Sequence, residues 1–591
     1  MKNQEIARIF FNIASLFESG SSLKTGKKDF RPIAYKRAAL ALESLEEDIE
    51  EIYLDKGTAG LEEIPTVGKN LALKIEEYIK TGKIKEYEKL KKLLPVDFTE
   101  MTKIEGMGTR KAKILYQKLG IKTVKNLEEA AKSHKIAPLF GFGEKTEKNI
   151  LQGIEFLKSN KGRLLLGFIM PAAKEIISKL ENLKEVKKIS IAGSARRMKE
   201  TIGDVDILVA SNKPEAVNDF FVSLPGIKKI WAKGPTKSSV HLEDGFDIDL
   251  RIVKEESFGS ALQYFTGSKE HNIATRKIAV GKGLKLNEYG VFKRDKMIAG
   301  KTEQEVYKAI GLPWIEPEMR EDEGEVQLAF ENRLPKIIGY KDIKGDLHCH
   351  SNWNGGKNSI EEMAEFAVKI GYEYIGISDH TKFLRIENGL DEKQLLKQNE
   401  AIKQLNFKFQ MNPTGNPSAG VKSNFKFRIL HGCEANIMND GSIDIEDEVL
   451  EKLDYVIAGI HSNMKMDKEQ MTLRMIKAAQ NRNVDIISHP TGRLIGRRDE
   501  YQLDFNKVLE VAKETGTILE INSWPERLDL KDVYIKMAKK IGIKMIINTD
   551  AHEKSQMQLM EFGISQARRG WAKKKDIINT QSVEELLKCF K

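Results

Sequence analysis

Cysteine is scarce. Cys349, Cys433 and Cys589 are the only ones in 591 residues, which excludes a disulfide framework and any site built on an array of thiolates. Long apolar runs are also missing. None approaches the ~20 residues that carry a helix across a bilayer, so a membrane protein is not expected. No signal-peptide pattern opens the chain, because MKNQEIARIFFNIASLFE alternates polar and apolar residues at helical spacing. A reducing, cytoplasmic setting is the expectation. Acidic residues fall short of basic ones, leaving a net charge of +10, a balance that favours anionic partners and nucleic acid first among them. The same balance is compatible with an ordinary basic enzyme. The length calls for several domains.

What is present is a series of short apolar runs in the C-terminal half, each delivering a metal-ligand residue. YIGISDH ends at His380, YVIAGIHS runs through His461, VDIISHP through His489, and KMIINTDAH reaches Asp550 and His552. RILHGCE ends at Glu434, and GDLHCH upstream holds Asp346, His348 and His350. Strand after strand presenting His or Asp at its C-terminal end is how a parallel α/β barrel builds an active site. From about Gly345 onward, such strands alternate with helical stretches such as SIEEMAEFAVKIG and FNKVLEVAKETG, the rhythm of a parallel sheet or barrel. Imidazoles and carboxylates without thiolates suit Zn²⁺ or Mn²⁺. The segment at 410–424, rich in Pro, Gly and Asn, is expected to be an exposed loop, and the charged stretch at 312–327 a linker.

Residues 1–160 read as nearly all helix and contain a partial repeat. IPTVGKNLA (64–72) recurs as IEGMGTRKA (104–112) and more weakly as LFGFGEKTE (139–147). Each places a turn, at Gly68, Gly108 or Gly143, before a new helix, where free backbone N–H groups and the helix dipole can hold a DNA phosphate. This resembles the helix-hairpin-helix motif.

Between these regions, the strand KKISIA leads into GSARR (193–197), and GDVDIL follows at 203–208. Strand alternation puts Asp204 and Asp206 on one face with Val205 and Ile207 on the other. DIDLRIV adds Asp249, with Asp247 on the same face. Carboxylates this close require cations, and three of them can hold two Mg²⁺ about 4 Å apart. Gly193 and Ser194 offer close backbone approach and a hydroxyl to phosphate, and Arg197 a guanidinium fork.

GSARRMKETIGDVDIL, DLRIV and YFTGSKEHNIATR (264–276) together resemble the DNA polymerase beta-like family X DNA polymerases, over about Arg31 to Gly311. The resemblance implies two Mg²⁺ ions on Asp204, Asp206 and Asp249, with Arg163, Gly193, Ser194, Arg197 and Gly203 around the triphosphate. It implies Tyr264 and Phe265 at the sugar pocket, Gly267 as a further nucleotide-binding residue, Asn272 at the base edge, and Arg276 on the template. Gly68, Gly106 and Gly108 would contact the DNA backbone. FRPIAYKRAAL (30–40) and IPTVGKNLALKIEEY (64–78) match the family's small domain, in which some members use a Schiff-base lysine as a deoxyribose-phosphate lyase. Lys74 falls at that position, although Asn70 replaces a helper lysine and Phe30 stands where His is common. A phosphate-contacting lysine is the alternative.

DLHCH, SDH, GCE, GIHS, ISHPTGRLIGRR and NTDAH resemble the polymerase-and-histidinol-phosphatase (PHP) domain, a distorted barrel with up to three ions, in some polymerases a Mn²⁺-dependent 3′→5′ exonuclease. By match the ligands are His348, His350, His380, Glu434, His461, His489, Asp550 and His552, with Asp346 and Asp379 orienting neighbouring imidazoles. Where the family usually has a ligand Asp, HSNWNGG has Gly355, with Asn354 as a weaker neutral donor beside it. Arg493, Arg497, Arg498, Arg568 and Arg569 are expected on phosphate. The implied architecture is multidomain. It comprises a small helical domain (1–82), a helix-hairpin-helix domain (83–160), an α+β nucleotidyltransferase palm (161–255), a thumb (256–315), a linker (316–340) and a PHP barrel (341–591). The expected protein is a monomeric gap-filling repair polymerase taking dNTPs and gapped or primed DNA, with an exonuclease in the barrel. The alternatives are a catalytically weak barrel, a DNA-binding scaffold, or a barrel acting on a small phosphoester.

Overall fold

The computed structural model describes residues 2–20, 31–43, 45, 49–64, 66–93, 101, 104, 107–159, 163–384, 388–411 and 427–591. Phe30, Gly106 and nearly all of the expected loop at 410–424 lie outside the described residues. The chain divides into two compact units, Met1–Lys161 and Gly162–Lys591.

The described part of the first unit is helical. Helix Lys69–Thr81 shows the reason: Leu71, Ala72, Ile75 and Tyr78 recur on one face and are buried, and Gly82 ends the helix in the left-handed conformation that glycine adopts without a Cβ clash. Two apolar cores result. One gathers Phe10, Tyr35, Leu42, Leu61 and Ile75. The other gathers Ile104, Leu115, Leu127, Ile136 and Ile154.

The second unit begins with a five-stranded mixed sheet. Its strands are β1 (Lys188–Ile191), β2 (Asp204–Ala210), β3 (Ile227–Lys233), β4 (Lys237–Leu242) and β5 (Asp247–Val253). Their order is β1-β2-β5-β4-β3, with β2 and β5 parallel. One face buries Val205, Ile207, Val240, Ile248 and Leu250 against helix Leu166–Glu181, each such side chain contributing about 1.5–3 kcal/mol. The opposite face carries the carboxylates. Helices Phe258–Thr266 and Lys269–Gly281 follow, and then a three-stranded antiparallel meander spanning 285–299.

The C-terminal part contains eight short parallel strands: β6 (Gly345–Cys349), β7 (Tyr374–Ile377), β8 (Arg428–His431), β9 (Glu434–Asn436), β10 (Ile457–Gly459), β11 (Ile486–Ile487), β12 (Ile518–Asn522) and β13 (Met545–Asn548). They form ladders β6-β7-β8 and β9-β10-β11-β12-β13, joined by parallel bridges at His380↔Glu434 and Cys349↔Ala551. The result is a distorted barrel filled by Leu347, Tyr374, Leu430, Tyr455, Ile486 and Ile518.

The stretch expected as a linker is instead folded into this unit. Arg320 is fully buried and bonds Glu303 at 2.7 Å, Glu325 pairs with His271 at 2.6 Å, and Glu318 pairs with Arg568 at 2.7 Å. These charges form internal ion pairs while Asp322 and Glu323 stay exposed, a division that a sequence cannot show. The core below the first sheet also continues into the barrel, through Leu528 and Phe562.

Two candidate active sites

The first site lies on the open face of the mixed sheet. Parallel pairing sets Asp206 opposite Asp249 and Asp204 opposite Asp247. Asp249 accepts from Ser239 Oγ at 2.6 Å and meets Lys237 Nζ at 2.6 Å. Burial, then the charges of Asp204 and Asp249, push the Asp206 carboxyl up to about 6, although Arg251 and Lys237 oppose the shift. The trio is thus short of positive charge even with two cationic side chains nearby. That deficit, with all-oxygen donors, fits Mg²⁺. Gly193 explains itself here: its φ is +63°, and a Cβ would lie 2.3 Å from Asp206 Oδ2.

A carboxyl that binds its proton more tightly folded than unfolded costs stability as it ionises. The Asp206 contribution is therefore lost as pH rises from 3.8 to about 6 and stays lost above. Thermal unfolding without metal should show Asp206→Asn gaining on wild type across that window. Mg²⁺ at pH 8 should then raise the wild-type Tm more than that of the variant.

Around the trio, Arg163 donates to the Thr201 hydroxyl at 3.1 Å and stands 3.6 Å from where a Cβ on Gly203 would lie. Ser194 occupies the short helix after β1. Arg197 donates to the Thr266 carbonyl and to Glu321 at 3.1 Å, so its fork is already engaged. Tyr264 and Phe265 meet edge to face at 5.1 Å. Asn272 donates to the Tyr264 carbonyl at 2.7 Å, and its Oδ1 accepts from Gln263. A Cβ on Gly267 would lie 3.1 Å from the Arg197 guanidinium, and Arg276 is exposed on the following helix.

The second site is at the C-terminal ends of the barrel strands. Three groups of side chains have ligand atoms within 4.8 Å of one another: His350, His380 and His552; His348, His350, Glu434 and Asp550; and His380, Glu434 and His461. Between them they include every expected ligand except His489, whose Nε2 is 3.1 Å from Glu434 Oε1. The donors crowd, and several of their atoms have no hydrogen-bond partner. His348 Nε2, both nitrogens of His350, His380 Nδ1 and Glu434 Oε2 are buried and make no hydrogen bond. Buried polar atoms left this way are costly unless a cation takes them, so the residues fit a multinuclear centre of an imidazole-binding metal.

Partners on the far side of the rings fix which nitrogen is presented. Nδ1–H of His348 donates to Glu520 Oε1 at 2.7 Å, that of His461 to Asn436 Oδ1 at 2.7 Å, and that of His552 to the Asp550 carbonyl at 2.9 Å. Each leaves Nε2 as the ligand atom.

Several expectations change at this site. Asp346 and Asp379 do not orient imidazoles. Asp346 binds Thr549 and the His348 backbone N–H, and Asp379 binds Ser351 and Gln398. Glu520 takes the orienting role and also accepts the His489 backbone N–H at 2.8 Å. It belongs to a further apolar run, TILEIN, whose rhythm matched the others. Arg493, Arg568 and Arg569 are not free for phosphate. They bind Glu200 at 2.8 Å, Glu318 at 2.7 Å, and Asp532 at 2.7 Å with Glu321 at 3.0 Å. Arg497 pairs with Glu526 at 3.0 Å, and Arg498 donates to the Gly492 carbonyl. Arg527 brings a guanidinium to the cluster, 3.7 Å from Asp550. Gly355 has φ +61°, and Asn354 Oδ1 accepts the His380 backbone N–H at 3.1 Å.

In the first unit, Gly68 and Gly108 precede helices Lys69–Thr81 and Thr109–Leu119, and no side chain caps either helix start. Both glycines are extended, with φ −84° and −79°, and a Cβ on either would meet nothing within 4 Å. Neither of these two glycines is required by its backbone conformation, and both helix starts leave room for an outside ligand. Gly108→Val should therefore leave thermal unfolding unchanged and weaken gapped-DNA binding about tenfold, the loss of one or two phosphate hydrogen bonds. Equal affinity at moderate salt would refute the phosphate contact. Lys74 pairs with Glu86, which also accepts from Tyr35 at 2.6 Å, beside a cleft of about 760 Å³ lined in part by Arg31, Asn70 and Lys80.

Comparison with known proteins accounts for these parts together. A helix-hairpin-helix domain matches residues 1–84 and a SAM-like helix-hairpin-helix tandem residues 98–155. The DNA polymerase beta thumb matches 261–321 and the PHP domain 346–524. A probable phosphatase of Caldanaerobacter subterraneus is 37% identical over 134 residues, 21% of this chain and 50% of that protein. A ternary complex of Leishmania infantum polymerase beta matches 38% of this chain and 97% of its own at 27% identity, with a TM-score of 0.25. The DNA polymerase/3′-5′ exonuclease PolX of Bacillus subtilis is 37% identical over 590 residues, 99% of both chains. A likeness that runs unbroken through hairpins, carboxylate sheet, thumb and barrel shows that the chain belongs to the family X DNA polymerases that carry a C-terminal PHP domain.

Proposed function

We propose that this chain is a DNA polymerase and 3′→5′ exonuclease that fills short gaps during DNA repair. The observation that carries the polymerase reading is the carboxylate trio with Gly193 closed onto Asp206. Asp204, Asp206 and Asp249 would hold two Mg²⁺ ions, which when bound neutralise the carboxylates and polarise phosphate oxygens. The chain's own groups do the rest. Backbone and hydroxyl at Gly193 and Ser194, with Arg163, receive the triphosphate. Arg197 joins them on leaving Glu321. Tyr264 and Phe265 bound the sugar pocket, and Ser239 steadies Asp249.

In the barrel, His348, His350, His380, Glu434, His461, His489, Asp550 and His552 would hold the metals, Mn²⁺ or Zn²⁺, which supply an activated water and phosphate binding. Glu520 holds the His348 ring in place, and Arg527 offers charge to a terminal phosphate. The hairpin glycines bind DNA backbone without reading sequence. Extension and digestion of one-nucleotide-gapped DNA, with and without dNTPs, test both activities on one substrate.

Lyase activity at Lys74 is a separate proposal. The cleft holds Arg31 and Lys80, which can meet a 5′-phosphate, beside Glu76, Glu77 and Glu86, and Lys74 must first leave Glu86 to attack a sugar. Borohydride should trap a protein–DNA adduct on incised abasic DNA with wild type and not with Lys74→Ala. Unchanged trapping in the variant would make Lys74 a phosphate contact.

A further inference from the structure

We infer that Trp231 is a platform for the primer strand, holding its terminal nucleotides beside the Asp204–Asp206–Asp249 face. The inference rests on reading that face as the nucleotidyl-transfer site.

Trp231 is an oddity where it stands. It lies on β3, the edge strand of the sheet, and is 53% exposed. A large aromatic left on an exposed edge is a liability that proteins usually avoid. Yet this one is held in place. Its Nε1 donates to Asp247 Oδ1 at 3.0 Å, Asp247 also bonds His241 Nδ1 at 2.7 Å, and the indole meets the His241 ring at 6.0 Å and 66°.

The backbone explains how it gets there. Ile230 pairs with Val240 and Ala232 with Ser239, so Trp231 is the extra residue of a bulge. A bulge re-aims a side chain and is frequent beside active sites. The cross-strand ladder then runs from Ser239 to Asp249 to Asp206, and from His241 to Asp247 to Asp204. Bonded to Asp247, the indole is on the carboxylate face of the sheet, not on the face packed against helix Leu166–Glu181.

Direction across the sheet selects the strand it meets. The Gly193–Ser194 turn, which receives the triphosphate, lies between β1 and β2. Asp249 is on the other side of Asp206, where the attacking 3′-OH is expected. Continuing the same way leads from β5 to β4 and then to β3. The primer, and not the incoming nucleotide, is therefore the neighbour of Trp231.

The chemistry suits that neighbour. Lys229 Nζ lies 3.8 Å from the indole centroid. A half-exposed aromatic ring with an ammonium over it offers stacking surface to a base or sugar and a charge to its phosphate. Stacking of this kind tolerates every base, as a gap-filling enzyme requires.

The rival account is that the indole only positions Asp247. Full-length protein on one-nucleotide-gapped DNA with 2-aminopurine at the primer 3′ end separates the two. Trp231→Ala should raise the KM for DNA about tenfold, the loss of one stacked base, and should abolish quenching of 2-aminopurine. The KM for dNTP and the Mg²⁺ demand should not move. Trp231→Phe keeps a ring but lacks the N–H, and should stay within about twofold of wild type on both measures. If Trp231→Phe falls as far as Trp231→Ala, or if the deficit appears in Mg²⁺ demand, the indole merely supports Asp247 and the platform is wrong. Unchanged quenching in Trp231→Ala overturns it as well. Asp206→Ala should quench the probe without extending it; extension surviving in that variant would instead break the underlying assignment of the site.

Discussion

Asp206→Ala should abolish nucleotide addition, by at least roughly a thousandfold, while 3′→5′ digestion stays within a few-fold of wild type. The side chain lost is central to the trio. Asp206 sits beside Asp249 in the parallel ladder, shares a face with Asp204, and has Gly193 closed onto its Oδ2. Burial first, and then the charges of Asp204 and Asp249, hold its carboxyl above the usual carboxylate range. Removing it relieves that repulsion, so the variant should fold at least as well as wild type, and the defect cannot be blamed on unfolding. Single-nucleotide incorporation on gapped DNA measures the first activity. Release of a labelled 3′ nucleotide without dNTPs measures the second. Polymerisation within about tenfold of wild type would remove Asp206 from the metal site.

The converse result is expected in the barrel. Glu434→Ala should eliminate digestion and spare polymerisation, with a loss at least as large as that of His348→Ala or Asp550→Ala. Glu434 belongs to two of the three donor groups, and its carboxylate lies within 3.7 Å of His348, His350, His380, His461 and His489. Losing it removes the charge that binds several imidazoles to a common centre. Glu520→Gln should act less severely, costing about 10–100-fold in metal affinity, because it orients His348 from outside the donor set. Gly355→Asp should move the Mn²⁺ activation curve to lower concentration. Aspartate tolerates the φ of +61° better than most side chains, and a carboxylate there adds a negatively charged donor. Metal content after dialysis, measured beside nuclease rate, separates lost metal from lost chemistry. Continued digestion by the Glu434 and His348 variants would place the nuclease outside this barrel.

The sequence by itself determined what lies within a strand or a turn. Alternation put Asp204 and Asp206 on one face and Val205 and Ile207 in the core. Repeated runs ending in His or Asp announced a parallel barrel with ligands at one rim. Both are periodic local properties, set by the geometry of the chain over a few residues. The turns at Gly68 and Gly108 were legible too, but not the reason for glycine there, since φ depends on the path of the folded chain.

What only the tertiary structure decided is partnership between distant residues. The five barrel arginines were equally plausible phosphate ligands from sequence. Folding engages Arg493, Arg568 and Arg569 with Glu200, Glu318 and Asp532, and leaves Arg527 facing Asp550. Asp346 looked like an orienting carboxylate, but Glu520, across the barrel, reaches His348 first. Trp231 carried no motif, and its place beside Asp247 follows from a bulge in the pairing of two strands. A charged or aromatic side chain can satisfy itself on many partners. Which one it takes depends on which strands close against each other, and that is a property of the assembled core.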